Sequence, residues 1–355
     1  MFAKKNVVAA AALTLLAVAA HAQVTVYGNL DVSVGRKQEL NKSVVSGDKY
    51  AKDSRTAVDS NDMTDSFIGF KGQEDLGGGL KAVFKLESQL ALDSGATEAS
   101  TFWNRNAYVG LAGDFGALNL GQFENLFKLE GGAFNPFGNS RTFSATDRNT
   151  IAGTDSWSNG IGYVSPNLGG LTLSAQYSAR EQATATPALY SAGAYAVSAN
   201  FVAGPLALSA VYGDVRNPNV TTGTIGSAAK ARSALLGASY DFGVVKLFGQ
   251  YSQDKFTVKS LSGESKGKFY QIGAAIPVTT DGSVLVSYGD RKDTTDGLEG
   301  ADKIRSLSLG YTHNLSKRTN VYGALINERT TDGLAQAPDL KGTTNSFAVG
   351  VRHAF

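Results

Sequence analysis

The sequence predicts an all-β protein, a sixteen-stranded antiparallel transmembrane β-barrel, and three observations carry that expectation. Apolar and polar residues alternate with period two through about sixteen segments. The connections between those segments alternate between short and long. Beyond the N-terminal leader, no stretch approaches the ~18 consecutive apolar residues of a spanning helix.

The leader comes first. Lys4 and Lys5 precede the apolar run "NVVAAAALTLLAVAA", and "AHA" closes it at Ala22 with small residues at a cleavage position. Residues 1–22 therefore read as a secretory signal peptide, and 23–355 as one barrel domain. Loss of Lys4 and Lys5 leaves 31 basic against 31 acidic residues, so no general attraction to nucleic acid is expected. The chain has no cysteine, which excludes disulfide scaffolds, thiolate metal sites and thiol catalysis.

The mature chain opens with "VTVYGNLDVSV". Val24, Val26, Leu30, Val32 and Val34 share one parity, and Thr25, Tyr27, Asn29, Asp31 and Ser33 the other. In "LKAVFKLESQLAL" (80–92), Leu80, Ala82, Phe84, Leu86, Leu90 and Leu92 oppose Lys81, Lys85, Glu87 and Gln89. The pattern recurs at 171–180 and 283–291, and at 346–355, where Phe347, Val349, Val351 and Phe355 alternate with Ala348, Gly350 and Arg352. Successive strand side chains point to opposite faces, so each segment has one apolar face.

Expected strands lie near 24–36, 65–74, 79–92, 102–113, 115–123, 156–165, 170–181, 191–203, 205–215, 231–241, 243–256, 267–277, 282–292, 303–315, 318–330 and 343–355. Short connections such as "DLGGG", "GDFG" and "TTDG" carry turn residues. The long connections, 37–64, 93–101, 124–155, 182–190, 216–230, 257–266, 293–302 and 331–342, are polar.

No helical segment is available to cover the apolar faces. They must pack as two sheets or face lipid, and in lipid an unpaired sheet edge costs several kcal/mol per group, so the sheet closes. A sandwich would not sort its connections into a short end and a long end. A tilted spanning strand needs ~9–11 residues, which the segments supply, and a barrel of this size keeps water inside. Tyr163, Tyr177, Tyr240, Tyr251, Tyr288 and Tyr311 fall toward strand ends on the apolar parity, as an interfacial girdle would.

Four stretches, "VTVYGNLDVSV", "SFIGFKGQEDLGGGLKAVFKLE" (66–87), "RNAYVGLAGDFGALNLGQ" (105–122) and "VGVRHAF" at the C-terminus, closely resemble the general trimeric porins of Gram-negative bacteria, of the betaproteobacterial and neisserial type. The resemblance spans the mature chain. It implies three barrels per assembly, short periplasmic turns, long extracellular loops and a third loop folded inward. It also implies an outer-membrane location among lipid and lipopolysaccharide, and a C-terminal Phe355 read by the barrel-insertion machinery. The implied function is passive diffusion of small hydrophilic solutes and ions, with no cofactor.

The third loop is 124–155, with Glu124, Lys128, Glu130, Arg141, Asp147 and Arg148 as constriction candidates. On strands, the polar parity offers Asp31, Lys71, Lys81, Lys85, Glu87, Arg180, Lys246 and Arg352 as pore lining. Lys81, Lys85 and Arg352 are expected in a basic wall opposite the loop, while Arg105 and Arg305, on the apolar parity, are expected at a rim or subunit contact. The family often has Arg where this chain has Gln122, and the preference for anions or cations stays open.

Other functions have weaker support. A substrate-selective channel of the same fold is the alternative reading. An outer-membrane hydrolase would have to use His313 or His353, the only histidines after the leader, and no Ser/Asp partner is evident. A closed structural barrel would need a plugged lumen. "GESKGK" (263–268) lacks phosphate-loop spacing, and "DSNDMTD" (59–65) lacks that of a calcium loop; both read as polar loops.

Overall fold

The computed structural model describes residues 23–98, 101–145, 155–179, 193–222, 225–258, 263–334 and 339–355. The leader 1–22 lies outside the described residues. The chain begins with β1 (Gln23–Ser46), β2 (Lys49–Ser60), β3 (Phe67–Gly77), β4 (Leu80–Ala91), β5 (Ala96–Thr97), β6 (Ala107–Gly113) and β7 (Gly116–Glu124). A short helix, α1 (Leu126–Ala133), follows. Then come β8 (Ser156–Val164), β9 (Leu171–Ser178), β10 (Gly193–Ala203), β11 (Leu206–Thr222), β12 (Ile225–Asp241) and β13 (Lys246–Val258). The last five are β14 (Glu264–Pro277), β15 (Gly282–Thr295), β16 (Asp302–Asn314), β17 (Thr319–Asp332) and β18 (Leu340–Ala354).

Sequence neighbours pair antiparallel from β6 through β18, and β1 pairs antiparallel with β18 from Asn29↔Ala354 to Arg36↔Phe347. That pairing closes the sheet on itself and removes its edges. Gly28 and Phe355 exchange both backbone hydrogen bonds, at 3.2 and 3.1 Å, beyond the last ladder pair.

The strand count differs from the expected sixteen. Of eighteen strands, β5 has two residues and pairs only with β4, so the barrel sheet is built from seventeen. The extra one comes from 37–64, read as a loop. Gly47, at φ +62°, turns the chain, and β2 hydrogen-bonds back along Val32–Ser46 as a hairpin. β3 then pairs with Gln23–Asn29, so β2 and β3 succeed each other along the edge of β1 opposite β18. One parallel bridge, Lys341↔Lys49, joins β18 to β2.

The outward parity is apolar. Val109, Leu120, Val197, Leu236, Ile272, Leu309 and Val349 are all exposed, and Tyr163, Tyr177, Tyr240, Tyr288 and Tyr311 stand on the same face. The inward parity is small or polar: Ser198, Ser209, Ser233, Gln250, Gln271, Ser287 and Ser308 are buried inside the ring. An ordinary soluble protein has the reverse arrangement.

Candidate constriction site

After β7 the chain turns into the barrel. Asn125 caps α1, its side-chain oxygen accepting from the Lys128 N–H at 2.8 Å. The helix then packs its apolar side against the wall. Leu126 and Phe127 join Trp157, Ala194, Ala196, Val211 and Leu235 in one buried cluster. Further on, Phe137 and Phe143 join Met63, Leu285, Tyr322, Ala324, Ile326 and Ala348 in a second. Segment 125–145 is thus held at both ends against the inner faces of β10 to β18.

Polar contacts fix its path between the clusters. Gln250 donates to the carbonyls of Gly131 and Phe134, at 3.2 and 3.3 Å. Ser308 donates to the Phe143 carbonyl at 2.7 Å. Thr142 donates to Asp62 at 2.6 Å. The wall carries glycine where the segment comes closest. A Cβ on Gly273 would sit 2.7 Å from the Pro136 ring, and one on Gly310 would sit 2.9 Å from the Phe137 ring.

The root of the segment carries a charge network. Arg105 reaches Asp65 at 2.6 Å, Glu124 at 3.0 Å and Glu87 at 3.7 Å. Lys128 reaches Asp65 at 3.1 Å, Asp155 at 3.0 Å and Glu124 at 3.4 Å. Arg141 adds Asp65 at 3.3 Å and Glu98 at 2.7 Å. Burial by itself would push the Asp65 carboxyl up and the Lys128 ammonium down. Opposite charge outweighs it: Lys128, Arg105 and Arg141 hold Asp65 below the ordinary carboxylate range, and Asp65, Asp155 and Glu124 hold Lys128 above the ordinary lysine range.

Of the sequence-predicted residues, Lys85, Glu87, Glu124, Lys128 and Arg141 meet in this network, with Lys85 on Glu87 at 3.0 Å. Lys71 lies directly across from Lys85 on β3 and sits 4.5 Å from the Tyr27 ring, whose hydroxyl donates to Glu87 at 2.6 Å. Glu130 is separate, accepting from Asn200 at 2.7 Å, and burial pushes its carboxyl up. Lys81 is exposed near the Gly77–Gly79 turn, four residues from Lys85 along β4. Arg352 pairs in register with Asp31 and donates to Asn320 at 2.9 Å. Asp31 is fully buried and holds the 61–66 turn, accepting from the N–H groups of Met63 and Thr64 and from the Tyr322 hydroxyl. Lys246 sits at the start of β13, 5.2 Å from the Phe248 ring. Asp147, Arg148 and Arg180 lie outside the described residues.

Sequence reading placed three parts wrongly. Most of "GESKGK" (263–268) is not a loop: Glu264–Lys268 open β14. Arg105 points inward. Glu87 donates to the Asn106 carbonyl and accepts from the Arg105 N–H, so two residues oppose one and the parity slips. The acid-rich 59–65 stretch is no solvated loop: Asn61, Asp62 and Ser66 are buried, and Asn61 takes φ 67° to turn the chain inward. Gln122 contributes no charge; it donates to the carbonyls of Trp103 and Arg105, at 3.0 and 3.4 Å.

The histidines stand apart from this site. His353 contacts Thr319 at 2.8 Å, and His313 stacks beside Tyr311.

A family described as Gram-negative porin matches residues 9–333. Outer membrane porin protein 32 of Delftia acidovorans is 33% identical over 380 positions, which span 99% of this chain and 100% of that one. Major outer membrane protein P.IB of Neisseria meningitidis serogroup B is 27% identical across 99% of this chain and 100% of its own. Among solved structures, the anion-selective porin from Comamonas acidovorans superposes with a TM-score of 0.78 at 29% identity, covering 94% of this chain and 100% of that chain.

Proposed function

The chain belongs to the Gram-negative porin family, outer-membrane channels rather than enzymes, and we propose that segment 125–145 forms the constriction that sets its ion preference. Small hydrophilic solutes and ions pass through the barrel by passive diffusion. In this reading β2 and β3 form one interrupted stave, which makes sixteen antiparallel staves. Short turns face the periplasm, long connections face outward, and three barrels assemble as a homotrimer among outer-membrane lipid and lipopolysaccharide. Residues 1–22 direct export and are removed. Phe355 is read by the insertion machinery.

The observation that carries the reading is the pinned segment together with the charges left over. The acids at its root are all neutralised by Arg105, Lys128 and Arg141. Lys71, Lys81 and Arg352 make no ion pair among the described residues. We read the wall around Lys71 and Lys81 as locally positive, moderated by Asp75 opposite Lys81 and Asp31 opposite Arg352, and assign a modest anion preference. The anion selectivity named for the Comamonas acidovorans protein agrees in sign.

Single-channel recording across a salt gradient tests this. Steady openings that close in threes, with a reversal potential of anionic sign, are expected. A silent protein would mean a plugged barrel, and a cationic sign would remove the three residues from the controlling field. Saturable flux of one solute would instead favour a substrate-selective channel.

A further inference from the structure

The outer wall carries a feature that diffusion through the lumen does not use. Lys268 on β14 lies directly opposite Lys292 on β15, which lies directly opposite Lys303 on β16. All three are exposed, while their strand neighbours Phe269 and Arg291 are buried inside. They form a row on the outward face. Like charges directly opposite in neighbouring strands repel. Among the described residues no acid relieves them: Asp290 is taken by Arg305 at 2.8 Å, and Asp296 by Lys266 at 3.0 Å. Glu264 lies between Lys266 and Lys255.

The position of the row adds a second fact. Two residues along β14, about 7 Å, stands Tyr270, exposed and packed on Tyr251 with ring centroids 4.9 Å apart. Below the tyrosines the wall is apolar, with Ile272 and Leu309 exposed. Aromatic side chains settle at the lipid headgroup level, and lysine reaches past them with its stem along the apolar surface. The row therefore lies at headgroup height, at the end of the barrel away from the 278–281 turn.

We propose that Lys268, Lys292 and Lys303 form a docking site for the phosphate groups of a phosphorylated outer-leaflet lipid. The site rests on the membrane reading given above and names the lipid partner. Bound phosphate supplies the missing counter-charge.

Titration of the intact protein in an uncharged detergent tests it, with binding read by native mass spectrometry and heat stability. The probes are diphosphorylated lipid A, its dephosphorylated form and inorganic phosphate. Diphosphorylated lipid A is expected to bind and to raise the melting temperature. Replacing all three residues (Lys268→Gln, Lys292→Gln, Lys303→Gln) is expected to weaken binding about a hundredfold, the combined effect of three lysines at an anionic lipid surface. Without lipid, this variant should melt no lower than the parent, since it loses only repulsion. Arginine at the same three positions should keep the binding. Equal affinity of parent and glutamine variant, equal binding of dephosphorylated lipid, equal protection by inorganic phosphate, or a lower melting point of the lipid-free variant would each overturn the assignment. Conductance of the same preparations in zwitterionic bilayers reads the pore separately, so a failure of the lipid site is not confused with a failure of the channel.

Discussion

At the scale of single residues, Asp65 shows how the charges divide between structure and transport. It accepts from Arg105, Lys128 and Arg141 together, so its carboxylate ties the stretch just before β6, α1 and the later part of the inward segment to one point. Its folded pKa is depressed, so its contribution is full above the ordinary carboxylate value of about 4 and is lost as pH falls through the lower folded value. The only two tryptophans, Trp103 and Trp157, lie beside this region, Trp157 within the α1 cluster. Intrinsic fluorescence should therefore hold steady from neutral pH down to about 4 and change only below it. Asp65→Asn should show the acid spectrum at neutral pH and lower the stability of the segment by about 1–3 kcal/mol. Lys71 and Lys81 have no such tie. Lys71→Glu with Lys81→Glu should leave fluorescence unchanged and move the reversal potential toward cations. The shift in relative permeability should be several-fold, about 1 kcal/mol for reversed charges screened by pore water and salt. An unmoved reversal potential would take both lysines out of the controlling field. Lys85, bonded to Glu87, should move it less when neutralised with its partner than either lysine does alone.

At the scale of elements, the inward segment and the wall are built for each other. Phe137 is 2% exposed and Phe143 fully buried, although both sit in a connection between strands. Phe137→Ala should cost the segment about 3–5 kcal/mol of packing, while the melting of the barrel ladder stays where it was. The expected reading is larger, noisier single-channel conductance with unchanged β-sheet circular dichroism. Conductance equal to the parent's would show that the polar anchors alone hold the segment. The wall side of this fit was legible in part. Period two gave the strands and their outward faces, because lipid-facing rows tolerate few polar residues. The glycines at 213, 237, 273, 289 and 310 all fall on the inward parity of β11 to β16, and their spacing marks the side where another segment comes close. Arg105 was not legible, because a bulge changes parity without any change in composition. Nor was the β1–β2 hairpin, whose polar residues alternate with too little apolar contrast to separate a projecting strand from a loop. Lys128 was legible as a constriction candidate, but Asp65, the acid that gathers it with Arg105 and Arg141, was not, since its partners come from distant parts of the chain.

At the scale of the whole molecule, closure decides whether any of this forms. The ladder between β1 and β18 joins residues more than three hundred positions apart, so it can complete only after every intervening strand is placed. Phe355 stands at that seam. Its backbone exchanges two hydrogen bonds with Gly28, and its ring lies 2.6 Å from where a Cβ on Gly28 would stand. The ring is still 39% exposed, so it offers an apolar surface at the end of the last strand. These two roles separate experimentally. Phe355→Ala keeps both backbone bonds and loses only the ring, so refolding from urea into detergent micelles should give the same yield and nearly the same heat-modifiable migration on gels. If Phe355 is the insertion signal proposed above, assembly in cells should fall severalfold. Equal assembly in cells would confine Phe355 to the seam. A matching loss in micelles would mean that the ring serves closure itself. Gly28→Leu supplies the contrast: its Cβ would collide with the Phe67 backbone oxygen as well as with the ring, so it strains the β1–β3 ladder and the seam together and should impair refolding in micelles and assembly in cells alike.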